Sequence, residues 1–96
     1  MPEALEAKPA AGPREWAVYV VECRDGSLYT GVAKDVLARV AKHNAGKGAA
    51  YTRARRPVAL RYQEPGLTRS QALVREAAVK RLPRPRKKAL LGRAGA

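Results

Sequence analysis

Short apolar runs separated by polar and glycine-containing segments make up most of the chain, and their spacing distinguishes strands from helices. Apolar residues that alternate or are β-branched predict strands over 17–23, 28–33 and 58–63. Apolar residues at helical spacing predict helices over 35–44, 68–82 and 85–91. An Asp-Gly pair between the first two strands is a strong signal for a β-hairpin. The pattern therefore predicts a small domain of the α+β class.

The length of the hairpin loop decides where Tyr19 and Tyr29 point. A two-residue turn would place these side chains on opposite faces of the sheet, because side chains alternate with period 2. A three-residue loop over 24–26, with Gly26 in the left-handed conformation, pairs Val21 with Tyr29 and brings both hydroxyls to one face. We predict the three-residue loop, because two tyrosine hydroxyls on one face are typical of a functional site. On the hairpin alone, two half-buried strand tyrosines remain the alternative.

The first predicted helix begins with Asp35, a good N-cap residue. Its expected packing stripe consists of Leu37, Val40, Ala41 and Asn44. Arg39 and His43 lie one turn apart on a neighbouring face. A cation beside a titratable imidazole makes the pair a candidate for the site, and two solvated helix side chains are the alternative.

A basic loop is predicted over 46–56, and loops this long in a compact domain are usually functional or disordered. Basic side chains around one aromatic ring suit a phosphate backbone and an unstacked base. Lys34, after the second strand, is a further candidate cation. The candidate residues for nucleic-acid binding are Lys34, Lys47, Tyr51, Arg53, Arg55 and Arg56.

The second long helix carries an acid on its apolar side. Pro65-Gly66 is expected to end the third strand, and Thr68 with Gln71 forms a capping box. On a helical wheel Glu76 lies within an apolar arc, and a partly buried carboxylate needs a partner. That partner is either Lys80, four residues later, or a divalent metal ion.

The composition limits the partners and the kinds of site that the protein can have. The 96 residues carry 20 Lys and Arg against 8 Asp and Glu, a formal net charge of +12 that favours a polyanionic partner. A basic surface that reflects solubility or codon composition is the alternative. One cysteine and one histidine exclude an internal disulfide and a structural zinc site.

The termini and the hydropathy indicate the bounds of the domain and its expected cellular location. Residues 1–14 are expected to be a flexible tail, 15–92 a single domain and 93–96 a frayed end. No signal peptide and no membrane-spanning run is predicted. The chain is therefore expected to be cytoplasmic.

The ordered set of motifs resembles the GIY-YIG nuclease superfamily. Val18-Tyr19 precedes Tyr29-Thr30-Gly31, followed by Arg39 and His43 on a helix and a late Glu76. Asp-Gly-Ser-Leu-Tyr-Thr-Gly, His-Asn-x-Gly-Lys-Gly-Ala and Tyr-Thr-Arg resemble its small stand-alone bacterial members, the YhbQ-like group. The resemblance covers about residues 16–82. It implies a small three-stranded antiparallel sheet flanked by helices.

The resemblance also implies metal-dependent cleavage of DNA phosphodiester bonds, including structure-selective cleavage in repair or recombination. Glu76 would bind one Mg²⁺ or Mn²⁺ ion, Tyr29 would activate water with help from Tyr19, Arg39 would hold the phosphate, and His43 would hydrogen-bond at the site. Ala17 replaces a family glycine, and the late Asn of longer members is missing. A non-catalytic nucleic-acid-binding module and a nuclease subunit that needs a protein partner are the alternatives.

Overall fold

The computed structural model describes residues 12–95, with side chains described for residues 12–92, so most of the predicted N-terminal tail lies outside the described part. Its secondary structure consists of β1 (Trp16–Glu22), β2 (Leu28–Ala33), α1 (Val36–Asn44), α2 (Ala50–Arg53), β3 (Ala59–Leu67), α3 (Arg69–Arg81) and α4 (Arg84–Gly95). No helix within residues 12–95 has the length and apolar character to cross a lipid bilayer.

The three strands form one antiparallel sheet in the order β2-β1-β3, which confirms the predicted fold class. The hairpin has the predicted register, because Val21 pairs with Tyr29 and Tyr19 pairs with Gly31. Gly26 has a φ of 85°, in the left-handed region where glycine is favoured. Tyr19 and Tyr29 therefore lie on the same face of the sheet.

β1 is the central strand and is covered on both faces, as its apolar residues require. On the Tyr19 face, Val21 packs with residues of α1 and with Val58 before β3. On the opposite face, Val18 and Val20 pack against α3, and the partly buried side chains of α4 join them. The two tyrosines thus share a face with α1, whereas α3 packs mainly on the other side.

The packing face of α1 differs from the predicted one. The prediction was a stripe of Leu37, Val40, Ala41 and Asn44. The buried side consists instead of Val36, the partly buried Val40, and His43, at helical spacing. Leu37 is 71% exposed, and Ala41 and Asn44 are exposed as well, so the prediction was wrong for three of its four residues. The helix is rotated because His43 makes buried hydrogen bonds that hydrophobicity alone does not reveal.

The segment predicted as a loop over 46–56 contains the four-residue helix α2, so this prediction was wrong in part. The segment is closed by Asn44, whose side-chain amide donates to the carbonyl of Val58 at 3.0 Å and accepts from its N–H at 2.7 Å. These two hydrogen bonds fix where β3 begins relative to the end of α1.

β3 continues through Pro65-Gly66 to Leu67, past the predicted break. Proline is tolerated there because β3 is an edge strand and its pairing with β1 is irregular at this point. A second irregularity pairs Val20 with Tyr62 and Val21 with Leu60. Leu60 and Tyr62 consequently pack on opposite faces, although simple alternation placed them together.

An ion pair fastens α3 to β3. The Arg75 guanidinium donates to both carboxylate oxygens of Glu64, with N–O distances of 2.9 to 3.0 Å, and the Tyr62 hydroxyl donates to the same carboxylate. The hydrogen bonds from Arg75 lower the pKa of Glu64. Bidentate pairs of this kind fix orientation as well as adding energy. The pair therefore fixes the helical turn that carries Glu76.

The helix ends follow local signals. Thr68 and Gln71 form the predicted capping box of α3, and Asp35 accepts from the N–H of Ala38 at the start of α1. α4 begins one residue before its predicted start and extends to Gly95, beyond the predicted end at Leu91.

Candidate active site

Tyr19 and His43 form the centre of the site. The Tyr19 hydroxyl lies 2.8 Å from Nε2 of His43, and the two residues are 2% and 1% exposed. The approach depends on Gly31, the partner of Tyr19 in β2, because a Cβ there would lie 2.5 Å from the Tyr19 hydroxyl oxygen. The hairpin and the end of α1 thus place two of the predicted catalytic residues in direct contact.

The second imidazole nitrogen is occupied by a residue that the sequence did not single out. Nδ1 of His43 lies 2.7 Å from Oγ1 of Thr52, which is fully buried on α2. Gly48 lies against the same ring, so closely that a Cβ at this position would overlap Nδ1. Both residues belong to the His-Asn-x-Gly-Lys-Gly-Ala and Tyr-Thr-Arg motifs, and this was the only signal in the sequence that could have identified them.

Tyr29 extends the cluster towards the solvent. Its ring meets His43 edge-on with centroids 5.3 Å apart, and stacks on Tyr51 at 6.0 Å with an interplanar angle of 23°. The Arg55 guanidinium carbon lies 3.9 Å from the centroid of the Tyr51 ring, a cation–π contact. The structure therefore brings two residues predicted to bind nucleic acid, Tyr51 and Arg55, against the predicted catalytic tyrosine.

Arg39 and Glu76 act on this cluster through their charges. The pKa of Tyr19 is raised to about 12, first by burial and then by Tyr29, while Arg39 lowers it and Glu76 raises it. Arg39 is exposed on α1 and forms no ion pair with any residue in the described part of the chain. The other four predicted catalytic residues are therefore in contact with, or in electrostatic range of, Tyr19.

The partner of Glu76 inside the protein is Lys80. The two charged groups are 3.4 Å apart, and the Glu76 side chain is 20% exposed. Among residues 12–92, no group of three His, Cys, Asp or Glu side chains is arranged to hold a metal ion. A single carboxylate still suits Mg²⁺, which keeps several waters and is usually held by one or two carboxylates together with substrate phosphates.

Lys34 follows the last residue of β2 and lies near Trp16. Its ammonium pairs with Glu15 at 3.0 Å and lies 5.6 Å from the Trp16 ring centroid. The side chain also lines a shallow concavity that contains Arg39 and Lys42. The predicted phosphate contacts Lys34 and Arg39 thus share one basic surface.

Two further predicted cations, Arg53 and Arg56, form a second basic surface. Arg53 and Arg56 line an open pocket of about 440 Å³ together with Arg24, which the sequence analysis did not select. The backbone N–H of Arg24 donates to the carbonyl of Arg55 at 3.0 Å, so the hairpin loop is tied to the end of α2. Lys47 is exposed and does not line this pocket.

The burial of His43 has a consequence for stability. Burial first, and the Arg39 charge second, lower the pKa of His43 from its ordinary value. The unfolded chain therefore binds a proton below about pH 6.5 that the folded chain does not bind, and acid favours unfolding. We expect the free energy of unfolding to fall as the pH drops below about 6.5, until the lower folded pKa is reached.

Urea unfolding of the wild type and of His43→Gln, between about pH 7.5 and 5.5, measures this effect. The wild type should lose more stability than the variant over that interval, because carboxylates titrate in both proteins and cancel in the difference. Equal pH slopes in the two proteins would contradict the prediction.

The comparisons with known proteins agree with this geometry. The sequence model of the GIY-YIG catalytic domain matches residues 15–89. A UPF0213 protein of Staphylococcus epidermidis is 63% identical over 70 residues, which cover 73% of this chain and 85% of the relative. A UPF0213 protein of Staphylococcus aureus is 60% identical over 74 residues, which cover 77% of this chain and 90% of the relative.

Two solved structures are also similar. The solution NMR structure of a UPF0213 protein from Bacillus halodurans has a TM-score of 0.52 and 43% identity, covering 80% of this chain and 82% of that one. The NMR structure of a protein from E. faecalis has a TM-score of 0.54 and 38% identity, covering 84% of each chain. With the fold, the paired tyrosines and these relatives in agreement, the chain belongs to the GIY-YIG catalytic-domain family and, within it, to the UPF0213 proteins.

Proposed function

We propose that this protein is a divalent-metal-dependent endonuclease that hydrolyses phosphodiester bonds in DNA. The family membership supports nuclease chemistry in general terms. The observation that carries the proposal is the arrangement around Tyr19, where His43 is in hydrogen-bond contact, Tyr29 shares the face, and Arg39 and Glu76 act on the Tyr19 pKa. A buried core tyrosine would not need this set of charged and titratable neighbours.

The roles follow from what the reaction needs, which is an activated water, stabilisation of negative charge and help for the leaving group. Tyr29, half-buried at the edge of His43, is positioned to activate the water, with Tyr19 assisting. With its pKa raised to about 12, Tyr19 stays a neutral phenol at neutral pH and acts through its hydrogen bonds. Arg39 has an exposed guanidinium that suits a phosphate.

Glu76 is the residue that would hold Mg²⁺ or Mn²⁺. A bound ion of this kind supplies positive charge that stabilises the phosphoryl oxygens. The Glu76–Lys80 contact does not prevent this, because the Lys80 side chain is 52% exposed and exposed ion pairs are weak and easily exchanged.

The substrate is held by the two basic surfaces. Lys34 and Arg39 line one basic concavity, and Arg24, Arg53 and Arg56 line a separate pocket. Side chains of this type contact phosphates and carry little sequence information. We therefore propose that the shape of the DNA, or a protein partner, selects the substrate, as in an enzyme of DNA repair or recombination.

A nuclease assay tests the proposal. Purified protein is incubated with Mg²⁺ or Mn²⁺ and linear, flapped, branched and single-stranded DNA. Removing the Tyr29 hydroxyl in Tyr29→Phe should lower the cleavage rate by about 10²- to 10⁴-fold, the usual contribution of an acid–base group. Tyr62→Phe is the matched control for loss of a phenol hydroxyl, since Tyr62 packs on the opposite face of the sheet and Arg75 still holds Glu64 through its own hydrogen bonds. Cleavage that is unchanged in Tyr29→Phe would contradict the assigned role.

One observation favours a second candidate, a nucleic-acid-binding module without cleavage. Glu76 already has an ionic partner in Lys80, and residues 12–92 contain no larger cluster of metal ligands. The same assay separates the candidates, because DNA binding without cleavage of any substrate, in either metal, would support the binding module.

A further inference from the structure

The buried hydrogen bonds around His43 extend beyond its contact with Tyr19 and end at a backbone carbonyl. We infer that Thr52 is a positioning residue that fixes His43 in the tautomer protonated at Nδ1, and thereby makes Tyr19 the donor in the Tyr19–His43 hydrogen bond. The chain of contacts runs from Tyr19 through His43 and Thr52 to the carbonyl of Ala49.

The first step is the Thr52 hydroxyl. Its oxygen lies 2.9 Å from the carbonyl oxygen of Ala49 and 2.7 Å from Nδ1 of His43. Two oxygens at this separation need a proton between them, and a carbonyl has none to give. The Thr52 hydroxyl therefore donates to Ala49 and offers His43 only lone pairs.

The second step is the imidazole. Because Oγ1 of Thr52 accepts from it, Nδ1 carries a proton, and a neutral imidazole has only one N–H. Burial lowers the pKa of His43, so the neutral form is the one present at neutral pH. Nε2 is then an acceptor, and the 2.8 Å contact with Tyr19 is donated by the tyrosine hydroxyl.

The direction of these hydrogen bonds matters for the reaction. This consequence rests on the proposed function. Tyr19 has one proton, and that proton is committed to His43. Any further group that bonds to the Tyr19 oxygen must be a donor, as the attacking water is. The opposite tautomer would leave the Tyr19 proton free to point into the site and would remove this acceptor.

Gly48 lies against the imidazole ring and supports the same arrangement. A Cβ at Gly48 would overlap Nδ1 of His43, so the absence of a side chain lets the imidazole reach Thr52. The ring is thus held by a hydrogen bond at each nitrogen and by backbone against its edge.

The tautomer is measured directly by NMR. The chain has a single histidine, so protein prepared without a histidine tag gives one imidazole signal set in long-range ¹H–¹⁵N spectra. We expect a protonated Nδ1 and a bare Nε2 in the wild type and in Thr52→Ser, which keeps the hydroxyl. We expect a protonated Nε2 in Thr52→Val, because valine has the shape of threonine but lacks the hydroxyl. A protonated Nε2 in the wild type, or an unchanged tautomer in Thr52→Val, would overturn the inference.

Kinetics test the consequence separately. Thr52→Val should lower kcat about 10- to 100-fold with little change in KM, as loss of an outer hydrogen-bond partner does at other imidazole sites. Thr52→Ser should retain most of the activity. Thr30→Val is the matched control, because Thr30 is also buried but pairs with Val20, whose side chain packs on the opposite face.

The NMR and kinetic measurements distinguish a failure of the nuclease proposal from a failure of the inference about Thr52. If the wild type cleaves no DNA, the nuclease proposal fails while the NMR spectrum still decides the tautomer. If Thr52→Val has the reversed tautomer and a wild-type kcat, Thr52 fixes the imidazole without serving the reaction, and the positioning role is wrong.

Discussion

Glu76→Gln is expected to reduce metal-dependent cleavage by at least about a thousandfold while changing DNA affinity in EDTA by less than about twofold. The substitution keeps the shape of the side chain and removes its charge. A metal ion supplies several kcal/mol of charge stabilisation, and each 1.36 kcal/mol is a factor of ten in rate. The rate loss should be partly recovered at high metal concentration, because an amide oxygen is a weaker ligand than a carboxylate.

The Glu76–Lys80 ion pair provides the matched control. Lys80→Gln breaks the same contact from its other end and leaves the carboxylate in place. If Glu76 serves the reaction, Lys80→Gln keeps near wild-type cleavage and only Glu76→Gln loses it. If the pair is merely structural, both variants show the same small change in stability, and neither loses cleavage. The second pattern would remove Glu76 from the site and rule it out as the metal ligand.

The hairpin illustrates what the sequence could predict. A three-residue loop with glycine in the left-handed conformation fixes the strand register locally, and the period of 2 then fixes the face of every side chain. Tyr19 and Tyr29 were therefore placed on one face from a single turn. The caps of α1 and α3 were predictable for the same reason, since their hydrogen bonds join residues three apart.

The features that were missed depend on contacts between distant segments. His43 is buried because Tyr19 and Thr52 occupy its two nitrogens, and neither partner is visible in the hydrophobic pattern of α1. The helix was therefore assigned a packing face that includes Leu37, which is exposed. Polar side chains that satisfy one another can be buried like apolar ones, and a hydrophobicity pattern cannot report this.

The basic residues show the same limit of prediction from sequence. Arg53, Arg55 and Arg56 are predicted together because they lie in one basic segment around an aromatic residue, but the structure separates them. Arg55 packs on Tyr51 beside the tyrosine cluster, whereas Arg53 and Arg56 line a pocket with Arg24. The hydrogen bond from Arg24 to Arg55 and the ion pair between Arg55 and Asp25 tie the hairpin loop to the segment after α2, and this brings Arg24 to the pocket.

Gly31→Ala is expected to destabilise the fold by about 1 to 3 kcal/mol, the usual cost of overpacking a core, and to reduce cleavage strongly. A Cβ at this position would lie 2.5 Å from the hydroxyl oxygen and 2.7 Å from Cζ of Tyr19. The ring has little room to retreat, because it is 2% exposed and hydrogen-bonded to His43. Urea unfolding measures the loss of stability, and the nuclease assay measures the loss of cleavage.

Two further variants show whether the clash with Tyr19 is the cause. Gly92→Ala, in α4 with no atom within 4 Å of the new Cβ, should be neutral or up to about 1 kcal/mol more stable. Tyr19→Phe in the Gly31→Ala background removes the atom nearest to the new methyl group. The double variant should therefore be less destabilised than the sum of the two single variants. Additive losses would mean that Gly31 is required for a reason other than the approach of the tyrosine hydroxyl, and that the close contact does not hold Tyr19 in the site.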